Sequence, residues 1–320
     1  MSAISKTKLI RTCSIWRALE VIGDKPTLLL LESYWLGTRQ FSDFCKQTGL
    51  LKTVVSNRLQ KLVSEQCFTK ELYSEKPRRY QYKATQRLLT MYPVAMAMLS
   101  WEKKWSPQRG KLAIELTHTH CNHSTVPVPV CEHCRQPVNA RDVDWQEGPG
   151  LGQMKASYSR RRKSRKANTG DGTQLFDAIA EIIGDRWSML IIRSLFTGLN
   201  GFNDIQADSQ IATNILAERL EYLAAQKIII RSQRADSQRH QYQLLDRGLD
   251  IYPILLNLMA WGDKWFADKN GPPVILKHNS CGHELVLSMA CSNCDKNLNY
   301  QEVGFKVWVI YIVYTSNLAV

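Results

Sequence analysis

The sequence repeats itself once over a long period, and this repeat limits what the chain can fold into. Ile22-Gly23-Asp24 returns as Ile183-Gly184-Asp185, an offset of 161 residues. Further along, the offset becomes 160, and Tyr92-Pro93 returns as Tyr252-Pro253. A period this long in only two copies indicates a duplicated domain rather than a solenoid.

Composition and periodicity divide each copy into a larger part and a small Cys/His-containing module. Between the copies, a basic segment that includes Ser159 to Lys166 has no apolar periodicity and is typical of a flexible linker. The predicted boundaries are 13–106 and 174–267 for the larger domains, 112–145 and 274–306 for the modules, 146–173 for the linker and 307–320 for an apolar tail. The tail is interpreted as an added strand, a partner-binding segment or an aggregation-prone stretch.

Apolar spacing predicts the same series of elements in both larger domains. In the first, helices are expected up to Gly23 and over 27–35, 41–47 and 52–66, then strands over 68–73 and 80–83, and a helix over 86–105. A short helix, a tight turn, a second helix and a basic-tipped hairpin are the layout of a winged helix. In a helix-turn-helix, the second helix enters the DNA major groove.

Charge and apolar content exclude some classes of protein. The chain has 320 residues and a formal net charge of +13, which favours an acidic partner such as nucleic acid or a membrane surface. The longest apolar run, Val307 to Tyr314, is too short for a membrane-spanning helix, and we expect no signal peptide at Met1 to Lys8. The nine cysteines are therefore expected to be reduced, in a cytoplasmic protein.

Each copy carries a Cys/His set with the same spacing. A Cys-x-x-Cys pair plus a cysteine and a histidine suits tetrahedral zinc, so we expect one structural zinc per module, with buried or vestigial cysteines as the alternative. His118 and His278 are alternatives to His123 and His283 as the fourth ligand. The predicted ligands are Cys121, His123, Cys131 and Cys134 in the first module, and Cys281, His283, Cys291 and Cys294 in the second.

A zinc enzyme is the rival interpretation of these sets. A deaminase requires a His-x-Glu motif, but His123 is followed by Ser124 and Thr125. The sequence also has no P-loop and no Gly-x-Ser-x-Gly motif. We therefore predict that the chain is not an enzyme. The expected fold is α+β, mostly α, with two winged helix-turn-helix domains, each followed by a small zinc-knuckle-like module.

Longer motifs resemble a known family. They are Cys13-Ser-Ile-Trp-Arg-Ala-Leu-Glu-Val-Ile-Gly23-Asp-Lys25, Gly37-Thr-Arg39-Gln-Phe41-Ser-Asp43, and Ile211-Ala-Thr-Asn-Ile-Leu-Ala-Glu-Arg219 in the second copy. They resemble the HxlR-type winged helix-turn-helix transcription regulators. The resemblance implies dimers, paired through their first and last helices, that bind operator DNA. Asn200 and Gly201 depart from the family's basic residues, so we expect the second copy to bind DNA more weakly or to serve mainly in dimerisation.

In a winged helix-turn-helix, the exposed residues of the recognition helix and of the hairpin tip are expected to contact double-stranded DNA. The alternative is that they form an ordinary solvated surface. Arg58 and Arg219 are instead expected to be structural, paired with Asp43 and Asp204. The candidate DNA contacts are Arg39, Lys52, Thr53, Ser56, Asn57, Arg78, Arg79, Thr213, Asn214 and Arg239.

The sequence thus predicts a tandem regulator in which one chain acts as its own pseudo-dimer on operator half-sites, with a homodimer as the alternative assembly. Some members of the family sense oxidants through an N-terminal cysteine, which makes Cys13 a redox candidate; a packed helix cysteine is the alternative. Cys45 and Cys67 are expected to be core residues. The competing function is a protein-interaction scaffold in which one or both winged helices no longer bind DNA.

Overall fold

In the computed structural model, which describes residues 9–106, 112–155, 175–233, 240–267 and 269–309, both copies fold into the same series of elements. Repeat 1 contains β1 (Leu9–Arg11), α1 (Ser14–Ile22), α2 (Lys25–Trp35), α3 (Phe41–Thr48), α4 (Lys52–Ser64), β2 (Phe68–Glu75), β3 (Arg78–Ala84), α5 (Gln86–Leu89), α6 (Tyr92–Trp105), β4 (Leu112–His118), β5 (His123–Thr125), β6 (Pro127–Cys131), β7 (Val143–Glu147) and β8 (Gln153–Lys155). Repeat 2 contains α7 (Asp177–Ile183), α8 (Arg186–Phe196), α9 (Phe202–Ser209), α10 (Thr213–Ala225), β9 (Ile229–Gln233), β10 (His240–Leu244), α11 (Asp246–Leu249), α12 (Tyr252–Phe266), β11 (Val274–His278), β12 (Leu287–Cys291), a 3₁₀ turn (Tyr300–Glu302) and β13 (Val303–Val309). The prediction of a mixed helix-and-strand fold is confirmed.

Local sequence signals account for the helix ends in repeat 1. Asp24 caps α2, because its Oδ1 accepts a hydrogen bond from the Thr27 amide at 3.0 Å. Gly49 ends α3 in the left-handed conformation (φ 63°), which sets the tight turn into α4. Pro93 lies in the first turn of α6, so the single helix expected over 86–105 is divided into α5 and α6.

Each winged helix has its own antiparallel hairpin, formed by β2 and β3 in repeat 1 and by β9 and β10 in repeat 2. The strands of the Cys/His modules behave differently, because they pair with strands of the other repeat. β4 pairs with β13, β6 with β12, and β7 with β11, all antiparallel. The two modules therefore form one interleaved unit.

Two segments differ from the sequence-based boundaries. Residues 146–155 were assigned to the flexible linker, but β7 extends to Glu147 and β8 pairs with β1. Residues 307–309, assigned to the tail, complete β13 against β4. The rest of the linker, 156–173, and the rest of the tail, 310–320, lie outside the described residues.

The two repeats also pack through helices. α1 lies against α12 so closely that a Cβ at Gly262 would be 2.2 Å from the Ser14 carbonyl oxygen. The indole of Trp101 donates to the Arg247 carbonyl at 2.9 Å, and the equivalent Trp261 donates to the Arg87 carbonyl at 2.8 Å. These reciprocal contacts give the interface an approximate two-fold symmetry.

One hydrophobic core runs through both repeats. It includes Leu19 of α1 and Leu30 of α2 together with Leu190 of α8 and Leu258 of α12, each fully buried. Because both winged helices contribute to one core, their relative position is set by packing rather than by the linker alone.

Candidate functional site

The first candidate surface is the exposed face of α4 in repeat 1. Val55, Leu59 and Leu62 are buried and fix the helix against the core. The opposite face presents Lys52, Thr53 and Asn57 to solvent, while Ser56 is half-buried. α4 follows the tight turn after α3, so it occupies the position of the recognition helix in a helix-turn-helix.

A groove of about 740 Å³ lies between α4 and the hairpin of β2 and β3. Its basic side chains are Lys70, Arg78 and Arg79, all exposed, and no carboxylate is among its described lining residues. Arg78 and Arg79 follow the turn of the hairpin, where the sequence placed them. Lys70 was not among the sequence candidates, although its position in a strand of the basic hairpin was a usable signal.

Arg39 contacts other groups of the protein, whereas the sequence suggested that it contacts DNA. Its guanidinium donates to the carbonyl oxygens of Tyr34 (2.7 Å) and Thr38 (2.8 Å) and to the Tyr300 hydroxyl (2.8 Å). It also stacks on the Tyr34 ring, 3.9 Å from the ring centroid. The Tyr300 contact joins repeat 1 to repeat 2, and the others lie within repeat 1, so we assign Arg39 a structural role.

Arg58 and Arg219 are structural, as expected, but their partners differ from those expected. Arg58 Nε lies 2.8 Å from Asp24 Oδ1, and Arg219 pairs with Asp185 rather than Asp204. The partners are the aspartates before α2 and α8. The middle of α4 and of α10 packs over the start of those helices and brings the arginine within reach of the aspartate.

The equivalent surface of repeat 2 carries acidic as well as basic side chains. Thr213 and Asn214 are exposed at the start of α10, as expected. Glu218 and Glu221, also exposed, occupy the positions of Asn57 and Gln60. The groove beside α10, about 630 Å³, is lined by Asp204 and Glu221 as well as Arg231 and His240. Arg239, the remaining candidate, lies outside the described residues.

The cysteines and histidines of the modules form two groups. In each group the four ligand atoms lie within 4.8 Å of one another. Each group takes one histidine and one cysteine from one repeat and a Cys-x-x-Cys pair from the other. We name them Cys/His cluster 1 (His118, Cys121, Cys291, Cys294) and Cys/His cluster 2 (Cys131, Cys134, His278, Cys281).

This grouping corrects the expectation of one complete ligand set per module. β6 pairs with β12 and β7 with β11 across the repeats, so each Cys-x-x-Cys turn faces the other repeat's His-x-x-Cys turn. His118 and His278 are fully buried in the clusters. His123 and His283 are exposed, and each has its Nδ1 against the carbonyl of the preceding cysteine, Cys121 or Cys281.

The distances within the clusters are short but exclude disulfide bonds. In cluster 1, Cys121 Sγ is 3.8 Å from Cys291 Sγ and 3.7 Å from His118 Nδ1. In cluster 2, Cys131 Sγ is 4.0 Å from Cys281 Sγ, which lies 3.5 Å from His278 Nδ1. A disulfide requires about 2.05 Å.

Neighbouring groups favour the thiolate of one cluster cysteine, and a carboxylate lies beside one cluster histidine. Burial opposes ionisation of Cys291, but hydrogen bonds from the Thr125 hydroxyl and from the amides of Asn293 and Cys294 lower its pKa to about 6. Asp142 Oδ2 lies 3.0 Å from His278 Nε2, the ring nitrogen that faces away from the cluster.

Cys13 is the N-cap of α1 and is 5% exposed. The Trp16 amide lies 3.4 Å from its sulfur. Cys13 lies beside Arg193 of repeat 2: burial lowers the pKa of that guanidinium, but the neighbouring Cys13 and Asp208 side chains more than compensate and raise it. Arg193 was not among the sequence candidates.

Cys67 is fully buried, as expected, and burial raises its pKa to about 12, while Cys45 is half-buried against the core.

A recognition helix beside a basic hairpin defines a winged helix-turn-helix protein. A model of the HxlR-like helix-turn-helix family matches residues 21–110 and 182–270, more than half of the chain. The chain therefore belongs to the HxlR-like helix-turn-helix family, and it carries the domain twice.

Each of two similar proteins matches this chain over most of its own length. An uncharacterised HTH-type transcriptional regulator of Mycobacterium bovis, Mb3122, is 31% identical over 138 residues, which are 43% of this chain and 87% of the relative. The HTH-type transcriptional regulator YodB of Bacillus subtilis is 29% identical over 86 residues, 26% of this chain and 77% of the relative. These names point to a regulator rather than an enzyme.

Two solved structures are also similar to this chain. The crystal structure of PA1607, a candidate transcription factor, has 28% identity and a TM-score of 0.36, and the match covers 39% of this chain and 91% of that one. Diamide-treated YodB from B. subtilis has 27% identity and a TM-score of 0.25, over 29% of this chain and 93% of that one. Within the described residues, none of the helices is both long and apolar enough to span a bilayer.

Proposed function

We propose that this chain is a transcriptional regulator that binds operator DNA, with its two winged helices acting together as a covalent pseudo-dimer. The observation that carries the proposal is the surface of repeat 1. There, the exposed polar face of α4 lies beside a groove whose charged side chains are all basic. Short polar side chains on such a helix read base edges, and lysine and arginine neutralise phosphates.

The residues of this surface take distinct roles. Thr53, Ser56 and Asn57 would read bases in the major groove, with Lys52 on a phosphate at its rim. Arg78 and Arg79 at the turn of the hairpin would contact the backbone or enter the minor groove. This division makes the α4 side chains responsible for sequence preference and the basic side chains responsible for the salt dependence of binding.

The packing between repeats supports action as one unit. α1, the first helix of one winged helix, contacts α12, the last helix of the other. The reciprocal hydrogen bonds of Trp101 in α6 and Trp261 in α12 lie across the same interface between the repeats and give it an approximate two-fold symmetry. One chain would then present two helix-turn-helix units to one operator, so binding would not depend on the association of two subunits. Sedimentation equilibrium of the DNA complex should give one chain per operator, and two chains per operator would contradict this part of the proposal.

Selection of bound sequences from a random duplex library, followed by binding measurements at several salt concentrations, tests DNA binding. We expect a sequence preference and a steep linear fall of log affinity with log salt. Lys52→Ala should reduce the magnitude of that slope by about one, because one phosphate contact is lost. Lys269→Ala, which removes an exposed lysine beyond α12, is the matched control and should leave the slope unchanged. Binding without sequence preference would favour the interaction-scaffold alternative.

We further propose that Cys13 makes this binding responsive to oxidants. Cys13 lies in a small apolar cavity with Arg193, at the contact between α1 and repeat 2. Oxidation by a peroxide to the sulfenic acid, with release of water, adds an oxygen atom to a site that is 95% covered, so the inter-repeat contact has to shift. Peroxide should weaken operator binding by wild type and by Cys45→Ser but leave Cys13→Ser unaffected. A Cys13→Ser variant that responds like wild type would refute this role.

A further inference from the structure

We infer that the chain binds two zinc ions, one in Cys/His cluster 1 and one in Cys/His cluster 2, and that each ion bridges the two repeats. Each site would be incomplete within a single repeat. This inference rests on the clusters and on the strand pairing between repeats, and it is independent of DNA binding.

The cluster distances fit a tetrahedral zinc site. With Zn–S of about 2.3 Å and Zn–N of about 2.0 Å, tetrahedral angles require S···S distances of about 3.8 Å and N···S distances of about 3.5 Å. The Cys121 and Cys291 sulfurs are 3.8 Å apart in cluster 1, and the Cys131 and Cys281 sulfurs are 4.0 Å apart in cluster 2. The sulfur-to-Nδ1 distances are 3.2 and 3.7 Å in cluster 1, and 3.4 and 3.5 Å in cluster 2.

The donor set selects zinc and a structural role. Three thiolates and one imidazole form a soft tetrahedral set, which calcium and magnesium do not accept. Four protein ligands close the coordination shell and leave no position for water or substrate. The Asp142 carboxylate lies 3.0 Å from His278 Nε2 and would accept a hydrogen bond from the N–H that stays on the ring when Nδ1 binds the metal.

The topology makes each site a bridge. His118 ends β4 and Cys121 follows it, whereas Cys291 ends β12 in the other repeat; cluster 2 has the reverse arrangement. A metal bound at both positions therefore fastens the interleaved strands of repeat 1 to those of repeat 2. Since metal binding adds its free energy only to the assembled state, zinc would stabilise the arrangement of the two repeats.

Metal analysis of pairs of substitutions separates this arrangement from one complete site per repeat. Cys121→Ser with Cys291→Ser removes two ligands from cluster 1 alone, so about one zinc per chain should remain. Cys121→Ser with Cys131→Ser damages both clusters, so zinc should be lost. If each site were confined to one repeat, the first variant would lose its zinc and the second would keep about one, and this result would overturn the inference. A wild-type chain with less than one zinc would overturn it as well.

Two further measurements do not depend on variants that lose a ligand. In the cadmium-substituted wild-type chain, proton–cadmium NMR correlations should connect one cadmium to the β-protons of Cys121, Cys291 and Cys294. A cadmium correlated with both Cys121 and Cys131 would overturn the inference. The exposed histidines provide the control for the fourth ligand: His123→Asn with His283→Asn should retain two zinc ions per chain, and loss of zinc from this variant would count against His118 and His278 as ligands.

Discussion

Arg58 and Arg219 show how one shared residue stabilises both repeats. Each pairs with the aspartate that precedes the second helix of its own repeat, Asp24 or Asp185. In repeat 1 this aspartate is also the cap of α2, so a single carboxylate joins the start of α2 to the middle of α4. The sequence predicted structural arginines but chose the wrong aspartates, because Asp43 is nearer in sequence and only the packing of the helices brings Asp24 within reach.

Arg58→Ala should therefore lower stability rather than act on DNA directly. Asp24 is buried, and removal of its charged partner leaves a covered carboxylate with fewer hydrogen bonds. We expect the free energy of unfolding to fall by about 2 kcal/mol, measured by urea denaturation. Lys52→Ala, on the exposed end of the same helix, is the control and should change it by less than about 0.5 kcal/mol. Equal stability of the two variants would contradict the structural role of Arg58.

Asp142 is the residue by which the two proposed zinc sites differ. Loss of a carboxylate that orients a metal-binding histidine typically lowers metal affinity by about 10–100-fold. Asp142→Asn should therefore weaken the zinc bound in cluster 2 by at least about tenfold and leave cluster 1 unchanged, measured by competition with a chelator. Asp144→Asn, an exposed neighbour in β7, is the control. Equal affinities of the two sites in Asp142→Asn would contradict this role.

The two recognition helices differ in the charge that they expose. α4 contains Lys52, Arg58 and Lys61 and no acidic residue, whereas α10 contains Glu218 and Glu221 with Arg219 as its only basic residue. Arg219 is already paired with Asp185 and Glu218. Carboxylates at the centre of a recognition helix repel phosphate, so we expect repeat 1 to provide most of the affinity and the operator to be asymmetric.

Exchanging these charges tests the asymmetry. Asn57→Glu with Gln60→Glu gives α4 the charges of α10 and should weaken operator binding by at least about tenfold through repulsion of phosphate. The reciprocal change, Glu218→Asn with Glu221→Gln, should strengthen binding, above all to an operator made of two copies of the half-site that α4 prefers. Anisotropy titrations at a fixed salt concentration measure both. A second variant replaces Thr213 and Asn214 of α10 with alanine. If it loses as much operator affinity as the variant with acidic residues in α4, the two helices contribute alike.

The contact between α2 and the start of α7 introduces a dependence of stability on pH. Burial raises the pKa of Glu32 to about 8, although the amides of Leu175 and Phe176 donate to its carboxylate. The pKa of Glu32 in the folded protein thus lies above its ordinary value of 4.5, so folding takes up a proton between pH 4.5 and about pH 8. The contribution of Glu32 to the free energy of unfolding is therefore most favourable below pH 4.5, and it falls as the pH rises toward 8.

Urea denaturation at pH 6 and pH 8 measures this effect. Between these values, Glu32 should lower the stability of the wild type by about 2 kcal/mol, at about 1.36 kcal/mol for each pKa unit. Glu32→Gln keeps one acceptor oxygen and does not ionise, so its stability should change less with pH. Glu75→Gln, on the exposed hairpin, is the control and should follow the wild type. The same slope in all three proteins would contradict the raised pKa of Glu32.

The sequence predicted the features that depend on residues close together in the chain, and it missed those that depend on pairing between distant segments. Helix ends followed from Gly23, Gly49 and Pro93, and the duplicated family domain followed from repeated motifs. The exchange of strands between the modules did not, because β6 has nothing in its own sequence that distinguishes β12 as a partner from a strand of its own repeat. The same uncertainty left the choice between His118 and His123 open until their burial was seen.

The shared core and exchanged strands imply that the peptide link between the repeats is not needed to hold them together. A protease site inserted in place of residues 160–166 would allow the linker to be cut after folding. Because α1 packs on α12 and three strand pairs join the repeats, the two fragments should remain one particle of unchanged mass on size-exclusion chromatography. Operator affinity should also change by less than about threefold, since the relative position of the recognition helices is set by packing. The uncut protein with the same insertion is the control. Separation of the fragments in dilute buffer would mean that the linker, rather than the interface, keeps the two repeats together.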